Sequence, residues 1–563
     1  MKKMISLLLV IVMLTGCAAF AESTTLTGTA MGMKHQIIVE VDMEGETIAA
    51  VRVVECEDTA TIRDAAIDSV PARIVEQQNI DVDVVAGATM TSFGIRNAVK
   101  NALESAGIEV APYKKGSDAV AEKAKAEAEE YDVVIVGGGI AGMSAAIQAK
   151  RDGIERVLVL EKEGYTGGSS LVCGGGIWVE NTAINEEIGV NASLEDFIAF
   201  FKTRGEDKPL NEALLTNVYN TVGDVATFIT ENGLPYVTET WSLGHPDSQL
   251  PVIWSVHNTE YPWESGESGY FNAVADMAAE QGAEIRVNSK VTGLVNEGNT
   301  VTGVTVEDLN STYTVNAKKV ILATGGFTRN KDMIAEHAPE FVNAFAMTGA
   351  GSTGDGITMT RELGAQVIGE GMMGLMGTNM QYGYYGPIGN LVWLTKMIVN
   401  KEGITFGMDT TFYSETLALL LSQTDSMGIG IFDGSTELTE RLDMAVNAGV
   451  AKKFDTLEEL AEGYGIEAEA LKATAAEREL AEGPYYGLPI KPLFIGSIPG
   501  LKVDADCRVL NAEDQPIENL LAAGELIFGN LFAVRYPASG TGIGMSTYSG
   551  ALAAKTALAE ING

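Results

Sequence analysis

Three closely spaced glycines, Gly137, Gly139 and Gly142, follow the apolar run DVVIV and precede a stretch with helical periodicity. In such a turn the first glycine permits a sharp bend, the second lets a pyrophosphate approach, and the third lets the helix pack on the strand. The free N–H groups of Ile140 and Ala141 would then face the pyrophosphate at the helix N-terminus. This arrangement predicts a phosphate-binding turn between a strand and a helix.

A carboxylate follows at the spacing that a nucleotide site needs. Glu161 ends the next apolar run, RVLVLE, which we predict to be the neighbouring strand. A carboxylate at this place binds a ribose 2′-hydroxyl and disfavours a 2′-phosphate. We therefore predict a dinucleotide site that excludes NADP, with NAD and FAD both compatible with the turn itself.

A second candidate site lies in residues 83–92, DVVAGATMTS. This segment resembles the flavinylation motif of FMN-binding domains, an Asp followed by (Ser or Thr)-Gly-Ala-Thr, although Ala86 departs from that pattern. The resemblance implies that a flavin transferase joins FMN through its phosphate to Thr89. Thr91 and Ser92 also offer hydroxyls, and we expect them to cap the helix that follows.

Six motifs appear in order along residues 131–563: VVIVGGGIAG, LEKEGYTGGSS, VILATGGF, STGDGITM, VNKEG-x-x-F and NLLAAGE. Their order resembles the FAD-binding family of soluble fumarate reductases, urocanate reductases, L-aspartate oxidases and 3-ketosteroid dehydrogenases. The resemblance implies non-covalent FAD. Beyond the first turn, the cofactor residues it implies are Gly167, Gly168 and Ser169 along the flavin, Gly325 and Asp355 in two further motifs, Glu525 on the ribitol side, and Gly542 and Ile543 near the ring.

The stretch NKEGITFGMDTTFY departs from the fumarate reductases at a chemically important place. In those enzymes an arginine downstream of N-x-x-G-x-R-F-x-x-E donates the proton, whereas Tyr413 takes its place here, as in the ketosteroid dehydrogenases. Thr405 replaces the arginine of G-x-R-F, and Gly496 replaces a histidine near the C-terminal cofactor strand. The resemblance thus implies Tyr413 as the proton donor, with packing in the cap or core as the alternative.

The segment from Tyr536 to Gly544 resembles the Y-P-x-x-G-x-x-I-G motif of the ketosteroid dehydrogenases. There the tyrosine hydroxyl and the first glycine N–H, here Tyr536 and Gly540, bind a substrate carbonyl oxygen. Arg535 could instead serve as the arginine that fumarate reductases use for a carboxylate. Reduction of an activated C=C needs a hydride from the flavin, a proton, and donors on the carbonyl where charge develops.

The first residues, MKKMISLLLVIVMLTGC, combine a positive start with an apolar core too short to span a bilayer as a helix. Leu14-Thr15-Gly16-Cys17 resembles the lipobox of bacterial lipoproteins, in which Cys17 is lipidated after residues 1–16 are removed. An ordinary signal peptide cut after 18–21 is the alternative. No later segment has the length and apolarity of a membrane span, so we expect a lipid-anchored protein on the extracytoplasmic side of the cell membrane.

Composition excludes several kinds of partner and cofactor. The net charge of −38 argues against nucleic acid and anionic lipid surfaces as partners, since both are themselves negative. The remaining cysteines, Cys56, Cys173 and Cys507, form no CxxC or CxxCH, so we predict neither a c-type haem nor a cysteine-rich metal site.

The order of predicted elements indicates a doubly wound α/β FAD-binding (Rossmann-like) domain with an inserted cap, preceded by a small α+β domain. The predicted boundaries are 24–110 for the FMN-binding domain, 111–130 for a solvated and partly helical linker, 131–365 and 491–563 for the FAD-binding domain, and 366–490 for the cap. The cap segment is rich in methionine and aromatic residues and poor in basic ones, which suits a neutral enone better than a dicarboxylate.

These features predict a reductase of an α,β-unsaturated carbonyl acceptor, either an enone, a steroid-like compound or an aryl acrylate. Its electrons would come from a membrane donor, a quinol or a flavoprotein, through FMN and FAD. One alternative is a fumarate- or urocanate-type reductase that uses Arg535. The other is an electron-shuttle flavoprotein without a substrate of its own.

Overall fold

The structure is a computed structural model, and it describes most of the chain after residue 22. The described residues are 23–33, 36–58, 60–85, 87–114, 124–173, 176–189, 191–206, 208–232, 253–255, 269–379, 382–383, 386–407, 413–538 and 540–563. The proposed signal peptide and Cys17 lie outside them. The chain divides into two compact units, the smaller comprising the described residues of Met1–Asp58, Ala66–Val84 and Thr89–Ala119.

The small unit contains a three-stranded antiparallel sheet with the order β1-β2-β3. Its elements are β1 (Ser23–Met31), β2 (Gln36–Glu44), β3 (Thr47–Glu55), α1 (Ala60–Gln77) and α2 (Thr89–Ser105). Ile37, Val39 and Val41 are fully buried and alternate with more exposed residues, as a half-buried strand requires. Helix α2 lies so close to β1 that a Cβ on Gly28 would be 2.1 Å from the Ala98 carbonyl oxygen.

The large unit holds the remaining elements. Its strands are β4 (Ala124–Lys125), β5 (Glu129–Val136), β6 (Val157–Leu160), β7 (Gly176–Trp178), β8 (Ile253–Ser255), β9 (Glu284–Arg286), β10 (Lys290–Glu297), β11 (Thr300–Glu307), β12 (Ser311–Leu322), β13 (Phe345–Ala346), β14 (Val367–Ile368), β15 (Met372–Gly377), β16 (Met397–Val399), β17 (Gly428–Phe432), β18 (Lys452–Phe454), β19 (Tyr485–Ser497), β20 (Gly500–Leu501), β21 (Arg508–Leu510) and β22 (Pro516–Ala522). Its helices are α3 (Ile140–Arg151), α4 (Ala183–Ile188), α5 (Leu194–Arg204), α6 (Glu212–Glu231), α7 (Gly269–Glu280), α8 (Lys331–His337), α9 (Asp355–Thr360), α10 (Gly386–Gly389), α11 (Tyr413–Leu421), α12 (Thr439–Asn447), α13 (Leu457–Tyr464), α14 (Ala468–Glu477) and α15 (Thr541–Asn562).

A parallel sheet with the order β9-β6-β5-β12-β22 forms the centre of the large unit, and β10 and β11 extend it. Val133, Val134 and Ile135 are fully buried, because helices cover both faces of a sheet of this kind. Helix α3 connects β5 to β6, and α15 packs on it so closely that a Cβ on Gly550 would lie 2.2 Å from the Ala141 carbonyl oxygen. The predicted α/β class and doubly wound arrangement are confirmed.

A second, mixed sheet is formed mainly by the inserted region, with β13 contributed by the chain before it and β19 running past its end. Its central strands have the order β13-β19-β17-β16, and β15 and β18 also pair with β19. The strands of this sheet were not predicted from the sequence, because most are only two to six residues long and their pairing partner β19 lies far along the chain. In the part of the chain that the structure describes, no helix has the length and apolarity of a membrane span.

Candidate active site

The glycine-rich turn after β5 has the geometry that its sequence predicts. Gly137 has φ +110°, and a Cβ there would lie 2.3 Å from the Ala323 carbonyl oxygen. A Cβ on Gly142 would lie 2.0 Å from the Gly137 carbonyl oxygen, so the third glycine is what lets α3 approach the turn. At the start of α3 the Ile140 N–H donates to Ser170 Oγ at 3.2 Å, and the helix N-terminus at this place favours an anion.

Glu161 follows β6 and is buried beside this turn. Its Oε2 accepts a hydrogen bond from the Gly138 N–H at 2.8 Å, and its Oε1 accepts one from the Glu163 N–H at 2.8 Å. Burial raises the pKa of the Glu161 carboxyl, and the two backbone donors partly oppose that shift. Glu161 thus also fixes the backbone of the turn, a role that the motif alone does not indicate.

A cleft opens at this edge of the parallel sheet. Its lining includes most of the predicted cofactor residues: Gly137, Gly139, Ile140, Ala141, Glu161, Gly167, Gly168, Ser169, Gly325, Asp355 and Glu525. Gly142, Gly542 and Ile543 do not line it; Gly142 serves helix packing, and Ile543 packs against the core. Segments that are far apart in sequence are therefore brought to one cleft, as expected for an extended dinucleotide.

Unpartnered polar atoms line the same cleft. Thr324 Oγ1, Ser352 Oγ and Glu163 Oε2 are buried and have no hydrogen-bond partner among the described residues. Buried polar atoms are normally paired, so three such atoms around one cavity fit a ligand with many hydroxyl, amide and phosphate groups. FAD carries these groups, so the unpartnered hydroxyl and carboxylate oxygens fit FAD as the ligand of the cleft. The sequence analysis did not single out these three residues, although each lies inside one of the six motifs.

A second polar cluster holds the loop before α9. Lys162 Nζ donates to Asp355 Oδ2 at 2.7 Å and to Thr353 Oγ1 at 2.6 Å. Thr353 Oγ1 in turn donates to Asp355 Oδ1 at 2.7 Å. The predicted cofactor residue Asp355 is therefore fixed beside Lys162, which lies in a different motif.

The C-terminal end of the cleft carries a buried acid. Glu525 Oε1 accepts hydrogen bonds from the Ser497 N–H at 2.7 Å and the Ser497 hydroxyl at 2.9 Å. Burial raises the pKa of Glu525 to about 7, and these two donors oppose the rise. A Cβ on Gly326 would lie 2.0 Å from the same oxygen, so the glycine of ATGGF makes room for the carboxylate.

Residues predicted to serve the acceptor lie next to this end. A Cβ on Gly496 would be 2.8 Å from Met373 Sδ and 3.4 Å from Glu525 Cδ. A Cβ on Gly542 would be 3.0 Å from Met373 Cε and 3.9 Å from the Tyr536 hydroxyl oxygen. The structure therefore brings Tyr536, Gly542 and Gly496 together around Met373, which sequence reasoning noticed only as one of many cap methionines.

The other predicted catalytic residues lie on the neighbouring elements. Tyr413 is the first residue of α11. This helix packs on β15 through Leu417, which lies so close to Gly374 that a Cβ on the glycine would be 1.7 Å from Leu417 Cδ2. Gly540 has φ +79° and is the N-cap residue of α15. Arg535 forms an ion pair with Glu206, so its guanidinium already has a carboxylate.

In the small unit, three neighbouring hydroxyls differ in accessibility. Thr89 is exposed at the first position of α2, whereas Thr91 is 2% and Ser92 0% exposed. Thr91 Oγ1 donates to Asp58 Oδ2 at 2.7 Å. The expected N-cap role of Thr91 and Ser92 is wrong, because α2 already begins at Thr89 and the Thr91 hydroxyl has a partner outside the helix.

Comparison with known proteins agrees with this geometry. Residues 132–543 match the FAD binding domain family and residues 31–104 match the FMN-binding domain family. The urocanate reductase of Eggerthella lenta is 29% identical over 91% of each chain. The open conformation of a flavocytochrome c3 fumarate reductase has a TM-score of 0.64 at 25% identity, covering 76% of this chain and 78% of that one.

The fold extends to the ketosteroid dehydrogenases. The 3-ketosteroid Δ1-dehydrogenase of Sterolibacterium denitrificans has a TM-score of 0.65 at 21% identity, covering 77% of this chain and 100% of that one. The resemblance predicted from the six motifs is thereby confirmed. The chain belongs to the FAD-binding family of oxidoreductases and carries an FMN-binding domain before its FAD-binding domain.

Proposed function

We propose that the protein is an extracytoplasmic reductase of α,β-unsaturated carbonyl compounds, such as an enone, a steroid-like acceptor or an aryl acrylate. It would receive electrons from a membrane donor, a quinol or a flavoprotein, through FMN on Thr89 and then FAD. Support for the general reaction comes from the relatives, whose names include urocanate and fumarate reductases. Support for a carbonyl rather than a dicarboxylate comes from the residues around Tyr536.

The observation that carries the proposal is that, among the described residues, the cation next to Tyr536 in sequence already has a carboxylate partner. Arg535 forms an ion pair with Glu206, with side chains 38% and 44% exposed, so Arg535 would have to exchange this partner to bind a substrate carboxylate. Thr405 and Gly496 stand where fumarate reductases have an arginine and a histidine, and Thr405 Oγ1 is buried without a hydrogen-bond partner among the described residues. A dicarboxylate transferred to such a site would lose its water without gaining cations, whereas one neutral carbonyl needs only polar donors.

The roles of the side chains follow from this assignment. The Tyr536 hydroxyl and the Gly540 N–H would donate hydrogen bonds to the acceptor carbonyl oxygen, stabilising the negative charge that develops there. FAD bound in the cleft and reduced by the FMN-linked electron supply would provide the hydride for the β-carbon. Tyr413 would give its phenolic proton to the α-carbon, since a phenol with the ordinary pKa of tyrosine, near 10, is protonated at neutral pH. Together these steps saturate the double bond.

The accessibility of Thr89 supports covalent FMN as the electron inlet. A flavin transferase must reach the acceptor hydroxyl, and Thr89 is exposed while Thr91 and Ser92 are buried. The lipobox-like sequence ending in Cys17 would hold the protein at the membrane that contains its donor. Replacing Cys17 with serine should release the protein into the soluble fraction; retention at the membrane would contradict the lipid anchor.

An acceptor screen tests the enzymatic proposal. The reduced protein is mixed with enones, aryl acrylates, urocanate and fumarate, and the reappearance of oxidised flavin absorbance is followed. We expect an unsaturated carbonyl compound to be the fastest, and Tyr413→Phe to lose about 10² to 10⁴ in rate with it, as expected when a general acid is lost, while still binding it. Fumarate reduction as fast as the best acceptor would favour the fumarate- or urocanate-type alternative.

Two further outcomes decide against the assignment. A Tyr413→Phe variant within about threefold of wild type would remove Tyr413 as the proton donor, since that change is well below the general-acid range. A reduced protein that no unsaturated compound reoxidises would instead indicate an electron-shuttle flavoprotein.

A further inference from the structure

Met373 occupies the space between two glycines at the C-terminal end of the cleft. On the second sheet it pairs with Gly496 across β15 and β19. A Cβ on Gly496 would lie 2.8 Å from Met373 Sδ, and a Cβ on Gly542 would lie 3.0 Å from Met373 Cε. The Met373 side chain therefore occupies the space that a side chain at either glycine would need.

The surroundings of Met373 connect it with the acceptor. A Cβ built on Gly542 would be 3.0 Å from Met373 Cε and 3.9 Å from the Tyr536 hydroxyl oxygen, so both side chains approach the same position. A Cβ on Gly496 would be 2.8 Å from Met373 Sδ and 3.4 Å from Cδ of Glu525. Glu525 lines the cleft. Met373 thus lies between the proposed carbonyl donor and the cleft that fits FAD, and it is only 4% exposed.

The backbone at this place is irregular. The register of β15 against β19 shifts between Met373 and Gly374. Such bulges bend the strand and re-aim a side chain, and they occur often beside active sites. The irregularity therefore lies at Met373 itself, whose side chain is close to the Cβ positions of both Gly496 and Gly542.

The chemistry of a thioether decides what can bind beside it. Methionine carries no charge, is a weak hydrogen-bond acceptor, and adapts its three rotatable bonds to an apolar neighbour. A carboxylate placed against it would lose hydration without gaining a donor, which is strongly unfavourable. An alkyl or ring carbon next to a ketone would instead gain apolar contact.

We propose that Met373 is a specificity-determining residue that selects acceptors whose carbonyl bears an uncharged substituent. The proposal rests on the proposed function and narrows its substrate class, favouring ketones over acrylates. Met373 acts here through the shape and polarity of the acceptor pocket and takes no part in proton transfer.

Two acceptors with one skeleton test the proposal: 4-phenylbut-3-en-2-one, which is a neutral ketone, and cinnamate, which is a carboxylate. The measured quantity is the ratio of their kcat/KM values. Wild type should prefer the ketone, and Met373→Leu, which conserves volume and apolarity, should keep the ratio within about threefold. Met373→Gln and Met373→Lys should lower the ratio by at least about tenfold, because each offers the carboxylate a donor, and hydrogen bonds to charged groups are worth about this much or more.

Binding provides an independent readout. The dissociation constants of the saturated products, 4-phenylbutan-2-one and 3-phenylpropanoate, should shift in the same direction in each variant. Because a lysine at this buried position could prevent folding, FAD content and thermal unfolding accompany each measurement, and Met373→Gln decides if the lysine variant does not fold.

The outcomes separate this inference from the proposed function. If wild type reduces neither compound nor any other unsaturated carbonyl, the proposed function fails and the inference fails with it. If wild type reduces such acceptors but the ratio and the product affinities stay unchanged in a folded, FAD-loaded Met373→Gln variant, only the role of Met373 is overturned.

Discussion

The proposed covalent attachment of FMN to Thr89 can be tested with a single methyl-for-hydroxyl exchange. Thr89→Val keeps the shape of the side chain and removes the exposed hydroxyl at the start of α2. Thr91 is then the nearest alternative acceptor, but it is 2% exposed and donates to the buried Asp58 at 2.7 Å. The transferase can use it only after this hydrogen bond opens.

The structure sets the size of the expected effect. A hydrogen bond to a charged group contributes about 1.5–3 kcal/mol, which corresponds to about 10- to 150-fold in an equilibrium constant. Opening of the first turn of α2 adds to this cost. We therefore expect the initial rate of flavin attachment in Thr89→Val to be at most about a tenth of the wild-type rate.

The assay combines in-gel flavin fluorescence of denatured protein with mass spectrometry of the peptide containing residues 83–92. The matched control is Thr89→Ser, which retains a hydroxyl at the exposed position and should still be labelled. Attachment in Thr89→Val at more than half of the wild-type rate, with the flavin found on Thr91, would refute the argument from accessibility.

Three further predictions concern electron flow, packing and pH. Thr89→Val should keep FAD yet lose turnover with the membrane donor while retaining turnover with reduced viologens; equal loss with both would mean that the small unit matters for folding. Gly142→Ala, whose Cβ would lie 2.0 Å from a carbonyl oxygen, should lower stability by about 1–3 kcal/mol and reduce FAD content; Gly293→Ala, with nothing within 4 Å of the new Cβ, is its control for thermal unfolding. Burial raises the pKa of Glu180 from 4.5 to about 7, so the native state holds a proton that the unfolded state has lost between these pH values. The free energy of unfolding should therefore fall by up to about 3 kcal/mol as pH rises through that window. Denaturant titrations at several pH values should show a smaller fall in Glu180→Gln than in wild type; the same dependence on pH in both proteins would contradict this.

Local patterns predicted the parts of the fold that local physics determines. The glycine turn could be read from DVVIVGGGIAG because the backbone conformation at Gly137 and the close packing at Gly142 exclude other side chains. The second sheet could not, because its short strands are defined by pairing with β19. The start of α2 was placed too late, since the Thr91 hydroxyl that suggested a cap is taken by Asp58, which lies far away in sequence.

The candidate site shows the same division. The motifs named most residues that line the cleft, because phosphate and ribose impose spacing within one segment. The ion pairs Lys162–Asp355 and Arg535–Glu206 join segments that no local pattern relates. The place of Met373 between two glycines depends on β15 meeting β19 and the start of α15, so it became visible only in three dimensions.

The contact between α3 and α15 has a consequence for how the protein is made. The cleft is lined by residues from Val136 to Ser546, and α15, the last helix of the chain, packs directly against the helix that follows the first glycine turn. Contacts with such a large sequence separation form late, because the intervening chain must first be ordered. A nascent or proteolysed chain that lacks α15 would therefore be unable to retain FAD, and FAD content would report whether α15 has packed on α3.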